Sequence, residues 1–379
     1  MVYTVRNKIK VLSVLGTRPE IIKLAPVIHA IQQNKDFESI VVATAQHREM
    51  LDQTLAVFGI KPQIDLDLME EDQKLTNLSS KILRFVQEIF DREKPHLLIC
   101  QGDTTSAFVC GLTAYYNKIP IAHIEAGLRT FNHNAPFPEE GNRQLLSVIA
   151  SLNFCPTEKA KKNLLSEFVD KEKIFVTGNT VIDSLLWITS EDYNFKNKIL
   201  QDLDFSSERI ILVTAHRRES FGKPMENIFK AIQSIARNYH DVKFVFPVHL
   251  NPNVRKKVKS ILGNEDRVHL LEPLDYKEFV HLMQKSFLIL SDSGGVQEEA
   301  PSFGVPVLVL RKVTERTEAV EAGAALLIGT EKDDIVKNIE QFLEYPSHRK
   351  KFCDVENPFG DGRASQRILE TINKFFGLK

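Results

Sequence analysis

The sequence predicts an α/β protein built from two Rossmann-like, doubly wound domains. Three observations lead there. Short runs rich in Val, Ile and Leu alternate with segments of helical periodicity along the whole chain. That is the pattern of parallel strands buried on both faces and joined by helices. The alternation restarts in the second half, past a polar stretch at 188–207 with no strand signal. The length, 379 residues, also favours two cores over one.

Taken in order, KVLSVL (Lys10–Leu15) predicts the first strand, and PEIIKLAPVIHAIQQ a helix in which Pro26 should introduce a kink. SIVVATA (Ser39–Ala45) precedes the helical HREMLDQTLAVFG, and HLLICQGD precedes TTSAFVCGLTAYYN. IPIAHIEAG leads through a long loop to EEGNRQLLSVIA. In the second half RIILVTAH, KFVFPVHL, RVHLLEP, FLILSDSGG and VPVLVLR predict five more strands. The linker is placed near Gly178, before the helix-like TVIDSLLWI. The last amphipathic stretch, GRASQRILETINKFF, follows the Pro/Gly-rich NPFGDG and is expected to return to the first domain. The expected domains are therefore residues 1–177 with 364–379, and residues 178–363.

Composition excludes several classes. A formal net charge of -1 gives no general attraction to nucleic acid or an anionic membrane. The four cysteines, Cys100, Cys110, Cys155 and Cys353, form no CxxC pair and read as reduced thiols. The basic start leads into an apolar run cut by Gly16, Arg18 and Pro19, which reads as a core strand rather than a signal peptide. No run approaches the ~18 apolar residues of a membrane span. A soluble cytoplasmic protein is expected. HxH, HExxH, CxxC and EF-hand spacings are absent, so no metal is expected.

The most informative segment is SDSGGVQEEAPSF (Ser291–Phe303), which follows an apolar strand. Gly294 and Gly295 open a helix that contains Gln297, Glu298 and Glu299. A strand, a glycine turn and a helix start form an anion cradle, because free N–H groups and the helix dipole point at the ligand. A carboxylate one turn further in can grip a sugar diol, so a nucleoside diphosphate fits; the plain alternative is a strand end that needs glycines to turn. Five more segments end strands, where doubly wound sheets bind ligands. GTRPEIIK brings Arg18 and Lys23, either for an anion or as a solvated helix start. QGDTTS presents Asp103, either to a cleft or as an N-cap. HIEAGLRT places Glu125 in an apolar strand end, with Arg129 as its structural partner if no ligand is involved. TAHRRES offers His216 beside Arg217 and Arg218, and FVFPVHLNP ends in His249. PFPEEGNR brings Glu139 and Glu140 to a helix start, where one of the two has a structural reason to be. Arg316 in TERTEAV could reach the same cleft. Carboxylates, one histidine and a diphosphate cradle suit proton transfer or departure of a phosphate leaving group. They point to an enzyme acting on a nucleotide sugar, without choosing among transfer, hydrolysis and isomerisation.

These motifs, with TAQHREMLDQ, VTGNTVID, VHLNPNVR and ENPFGDG, occur in order along essentially the whole chain. The set resembles the bacterial non-hydrolysing UDP-N-acetylglucosamine 2-epimerases. The resemblance implies a glycosyltransferase-B type architecture, with two domains facing across a cleft that closes on substrate. It also implies a homodimer, UDP-GlcNAc and UDP-ManNAc as substrates, and neither NAD nor a required metal. It assigns proton chemistry to Asp103, Glu125 and Glu139, and places His216 by the departing phosphate. Arg18 and Lys23 match a substrate-contacting segment. Ser293, Gly294 and Gly295 match the diphosphate contact, Glu299 the ribose hydroxyls and Arg316 a further UDP contact. A second, activating UDP-GlcNAc site is matched by Gln46, Gln73, Glu139, Arg217 and His249. Asp72 stands where relatives often carry a basic residue, and FNHNAPFPEE, with His133 and Asn134, departs from the more usual loop. A hydrolysing epimerase, a glycosyltransferase of the same fold and a non-catalytic nucleotide-sugar sensor are the rival expectations.

Overall fold

The structure is a computed structural model that describes residues 8–44, 48–68, 73–217 and 220–378. The chain divides into two units, Met1–Ser184 with Gly360–Lys379, and Leu185–Phe359. The first unit is wound on β1 (Ile9–Leu15), β2 (Phe37–Ala43), β3 (Ile64–Asp65), β4 (Leu97–Gln101), β5 (Ile121–Ile124), β6 (Leu152–Cys155) and β7 (Ile174–Val176). All pair in parallel, in the order β3-β2-β1-β4-β5-β6-β7. The second unit holds β8 (Arg209–Thr214), β9 (Val242–Pro247), β10 (Val268–Leu271), β11 (Leu288–Ser291), β12 (Val307–Val309) and β13 (Ala325–Leu327). Its parallel order is β10-β9-β8-β11-β12-β13. In each sheet the winding reverses once, between β1 and β4 and between β8 and β11. Such switch points leave a crevice beyond the carboxyl ends of the two strands.

The strands are apolar on both faces because both faces are covered. In the first unit Leu12, Val14, Val42 and Leu98 meet Ile82, Val86, Phe90 and Ala107 from the helices. In the second, Ile211, Val213, Phe244 and Phe246 meet Ile228, Phe229, Ile232, Ile335 and Phe342. Each such side chain contributes about 1.5–3 kcal/mol relative to exposure. Cys100, Cys110 and Cys155 are buried free thiols in the first unit, and Cys353 is a half-buried one in the second.

Pro26 lies inside a continuous helix, Arg18–Gln33. A proline has no N–H to give to the carbonyl four residues back, here that of Ile22. The Ser184 hydroxyl donates to that carbonyl instead. Next to it, Asp183 caps the returning helix Ala364–Phe375 by accepting from the Ala364 N–H (3.1 Å), the Ser365 N–H (2.8 Å) and the Ser365 hydroxyl (2.6 Å). These bonds carry the first unit through Ser184, past the Gly178 boundary placed from sequence. β3, β7 and β13, which the sequence reading did not pick out, have only two or three residues each. Among the described residues no helix is long and apolar enough to cross a membrane.

Candidate active site

The first unit gathers its ionisable groups beyond β1, β4 and β5. Gly102 follows β4 with φ +71°, a left-handed turn that glycine adopts without strain, and Asp103 comes next. The N-cap of the helix Thr105–Tyr116 is Thr104, whose hydroxyl accepts from the Ala107 N–H at 3.0 Å. Asp103 is thereby released from the capping role open to it in sequence. It faces Arg143 Nη1 at 3.4 Å, and its own carbonyl accepts from Asn142 Nδ2 at 3.0 Å. Burial pushes the Asp103 carboxyl up to about 6, opposed by Arg143 and aided by Glu125.

Glu125 lies one residue past β5, with φ +65°, and its side chain is 8% exposed. It is therefore at a turn, and does not share a strand face with His123 as the alternation of HIE predicts. Lys23 Nζ and Gln101 Nε2 donate to its two oxygens, and Asn179 Nδ2 donates to Oε1 at 3.2 Å. Arg129, the partner expected from sequence, instead makes a two-pronged pair with Glu167 at 2.7 and 2.8 Å. Glu140 is the structural member of its pair. Burial raises its proton affinity, but the N–H groups of Thr130 and Phe131, with Arg143 and Gln144, prevail and hold its pKa below the usual value. Glu139 heads the helix Glu139–Ile149, half-buried, and makes no side-chain hydrogen bond or ion pair among the described residues. Arg18 sits half-buried at the first position of its helix.

Two buried groups here were not singled out from sequence for the roles they take. Glu20 is 1% exposed and accepts three hydrogen bonds from the turns after β1 and β4. Burial pushes its carboxyl up to about 7. His123 is fully buried, with Nε2 2.8 Å from the Gly102 carbonyl. Burial pushes its pKa down to about 4, so a neutral ring donates to that carbonyl and fixes the turn that presents Asp103.

The second unit builds its polar centre at the β8–β11 switch point. Thr214 and Ser291 are register partners, with hydroxyls 2.6 Å apart. The fully buried Asp292 follows, and its Oδ2 accepts from the N–H groups of His216 (2.7 Å) and Arg217 (2.8 Å). Its Oδ1 lies 3.3 Å from His216 Nδ1. The His216 ring stacks on His249, centroids 5.4 Å apart. Burial lowers the His216 pKa, with His249 and Arg217 adding to the shift and Asp292 opposing it. Asp292 was missed because a buried aspartate after an apolar strand reads as part of the glycine turn.

Ser293 and Gly294 open the short helix Gly294–Glu299. The Arg316 guanidinium lies against the helix start, 3.4 Å from where a Cβ on Gly294 would stand. Arg316 Nε pairs with Glu298 at 2.6 Å, and Thr314 donates to Gln297 Oε1 at 2.6 Å. Glu299 is buried and accepts from the Tyr276 hydroxyl at 3.3 Å. Gly295 stands beside Ser293 and Glu299. Of the remaining expected residues, Gln73 lies half-buried ahead of the helix Leu75–Glu93 in the first unit, while Arg217 also faces Glu315 at 3.8 Å. Gln46, Asp72 and Arg218 lie outside the described residues. Among the described residues no cluster of His, Cys, Asp and Glu has the form of a metal site.

The family model for UDP-N-acetylglucosamine 2-epimerase matches residues 29–373. The UDP-N-acetylglucosamine 2-epimerase of Neisseria meningitidis serogroup A is 48% identical over 370 residues, covering 96% of this chain and 99% of its own. That of Bacillus subtilis is 48% identical over 373 residues, covering 98% and 97%. The crystal structure of the N. meningitidis enzyme bound to UDP-GlcNAc superposes with a TM-score of 0.86 at 48% identity, covering 97% of this chain and 100% of that one. The S. aureus MnaA–UDP structure gives 0.87 at 47%, covering 98% and 97%.

The His123 assignment predicts a pH effect of defined sign. Its pKa is lower in the folded protein than in the unfolded chain, so the unfolded chain binds the proton first and stability falls as pH drops from about 6.5 towards 4. Between pH 7 and pH 5, urea unfolding should show a loss of about 2 kcal/mol in the wild-type protein that is missing from His123→Gln. Equal pH dependence in the two proteins would reject the neutral buried ring.

Proposed function

The chain belongs to the UDP-N-acetylglucosamine 2-epimerase family, and we propose that it interconverts UDP-GlcNAc and UDP-ManNAc without hydrolysis. The observation that carries the reading is the pair of carboxylates beyond the adjacent strands β4 and β5. Glu125 is held by Lys23, Gln101 and Asn179. Asp103, with its proton affinity raised by burial, can exchange a proton near neutral pH.

In this reading a carboxylate takes the proton from C2 of the sugar as the C1–O bond to UDP breaks, with the two groups leaving on opposite faces. The products held at that stage are 2-acetamidoglucal and UDP. UDP then adds back to C1 while a proton is delivered to the other face of C2, so no net redox change or water is required. Asp103, Glu125 and Glu139 serve the proton transfers, and Arg18 and Lys23 contact substrate. Ser293, Gly294, Gly295 and Arg316 hold the diphosphate, and Glu299 the ribose. A diphosphate beside His216 favours its protonated ring, which then donates to the departing phosphate. Asp292, on the opposite ring nitrogen, supports that role. Exclusion of water would protect the glucal intermediate. The enzyme would work in the cytoplasm and supply ManNAc units for bacterial surface polysaccharide.

A homodimer is part of the proposal. Exposed apolar side chains on three helices of the first unit, Leu75, Tyr115, Tyr116, Leu145 and Val148, support self-association. An activator site for a second UDP-GlcNAc, drawing on Arg217 and His249, is supported by the stacking of His249 on His216.

Proton NMR of the protein with UDP-GlcNAc in D₂O, without metal or NAD, should show UDP-ManNAc carrying deuterium at C2. Free ManNAc would instead mean hydrolysis. In the same assay Asp103→Asn, Glu125→Gln and Glu139→Gln should each lower kcat by about 10²–10⁴ with KM largely kept; wild-type turnover in any one removes that residue's role. Light scattering should give a dimer mass, and a monomer at micromolar concentration would reject the pairing. Turnover of UDP-ManNAc should accelerate on adding UDP-GlcNAc, and linear kinetics without activation would remove the second site.

A further inference from the structure

Glu20 is a buried carboxylate that the proposed chemistry leaves unused. It lies in the first turn of the helix Arg18–Gln33 and is 1% exposed. Oε2 accepts from the Gly16 N–H at 3.0 Å and the Thr17 hydroxyl at 2.8 Å, and Oε1 accepts from the Thr104 hydroxyl at 2.8 Å. The first two donors belong to the turn after β1, and the third to the turn after β4. One side chain thus spans the switch point of the sheet.

The space around this clasp is filled. A Cβ on Gly16 would stand 2.8 Å from Thr44 Oγ1, 3.1 Å from Ser106 Oγ and 3.2 Å from Glu20 Oε2. Thr44 Oγ1 in turn lies 3.0 Å from Ser106 Oγ. The turns after β1, β2 and β4 therefore close on one another with little slack. Among the described residues no cation pairs with Glu20, and burial pushes its pKa up to about 7, so holding it there is costly. Glu20 is at the third position of its helix, where a glutamate can reach back to the N-cap residue Thr17; the bond to Thr104, on a different turn, goes beyond that capping role.

We propose that Glu20 is a positioning residue for the acid–base groups of the first unit, locking the turn that carries Arg18 and Lys23 to the turn that carries Asp103. Lys23 lies one helical turn beyond Glu20 and reaches Glu125, while Asp103 immediately precedes Thr104. Loosening the clasp shifts the ammonium and the carboxylate relative to each other. The role rests on the epimerase reading for its kinetic consequence, but the geometry it sets can be read without turnover.

The test compares wild type with Glu20→Gln, Thr104→Val and Thr104→Ser. UDP affinity, set by the second unit, is measured by calorimetry as a control. Glu20→Gln should keep UDP affinity and KM within about threefold while kcat falls by about 10–10³-fold, the signature of misplaced reacting groups. Thr104→Val should lose about tenfold or more in kcat, and Thr104→Ser, which keeps the hydroxyl, should stay near wild type. Independently, carbon-13 NMR should find the Asp103 titration displaced in Glu20→Gln and Thr104→Val. Wild-type kcat and an unmoved Asp103 titration in these variants would overturn the proposal. If Glu20→Gln does not fold, the Thr104 pair decides, because equal behaviour of Val and Ser overturns it. A displaced Asp103 titration in a protein whose wild type shows no epimerisation would keep the clasp and reject the epimerase reading instead.

Discussion

A parallel sheet covered by helices on both faces has no wet surface of its own, so polar side chains that must act collect where its strands end. That constraint organises both units. β1 and β4 hand their chains to Gly16–Arg18 and Gly102–Asp103, and β8 and β11 hand theirs to Ala215–Arg217 and Asp292–Gly294. At each switch point the neighbouring helices diverge, and backbone N–H groups are left to bind something. Glu20 and Asp292 are the protein's own answers at those two places. Each is a buried carboxylate accepting backbone N–H groups beside its sheet.

The two units then differ in how they treat buried charge. In the first, burial outweighs the stabilising contacts of two carboxylates. Burial raises Glu20 to about 7 and Asp103 to about 6, and that is the range in which a group can both take and give a proton near neutrality. In the second, two carboxylates have close arginine partners. Glu298 pairs with Arg316, and Glu315, although burial opposes it, is brought down to about 2 by Arg311 and Arg217. Matched charges keep their state as pH changes.

Much of this was legible in the sequence because strand ends are local. An apolar run that breaks into polar or charged residues marks the strand ends at Asp103, His216 and Ser293 without any knowledge of the fold. What was not legible depends on partners far apart in the chain. Nothing near Glu125 indicates that Lys23, 102 residues earlier, is its cation rather than Arg129. Nothing near Pro26 indicates that Ser184 satisfies the carbonyl it leaves open. Local rules assigned Asp103 a cap that Thr104 provides, because adjacent residues compete for that position and tertiary contacts choose between them. The strands β3, β7 and β13 escaped for a different reason: parallel pairing at the sheet edges stabilises segments too short to show a pattern.

The backbone at Glu125 bears on what its side chain is for. A non-glycine residue at φ +65° carries roughly 1–2 kcal/mol of strain that a glycine would relieve. Glycine would complete the turn after β5 as well, and would lose only the carboxylate. The left-handed turn directs that carboxylate back to Lys23, Gln101 and Asn179, which come from the first helix, from β4 and from the start of the helix Thr180–Ile188. Three donors from three elements converge on one side chain in an unfavourable conformation. Such convergence over-determines the position, and a purely structural turn has no need of it. The three donors therefore hold the Glu125 oxygens in place against the strain of the turn.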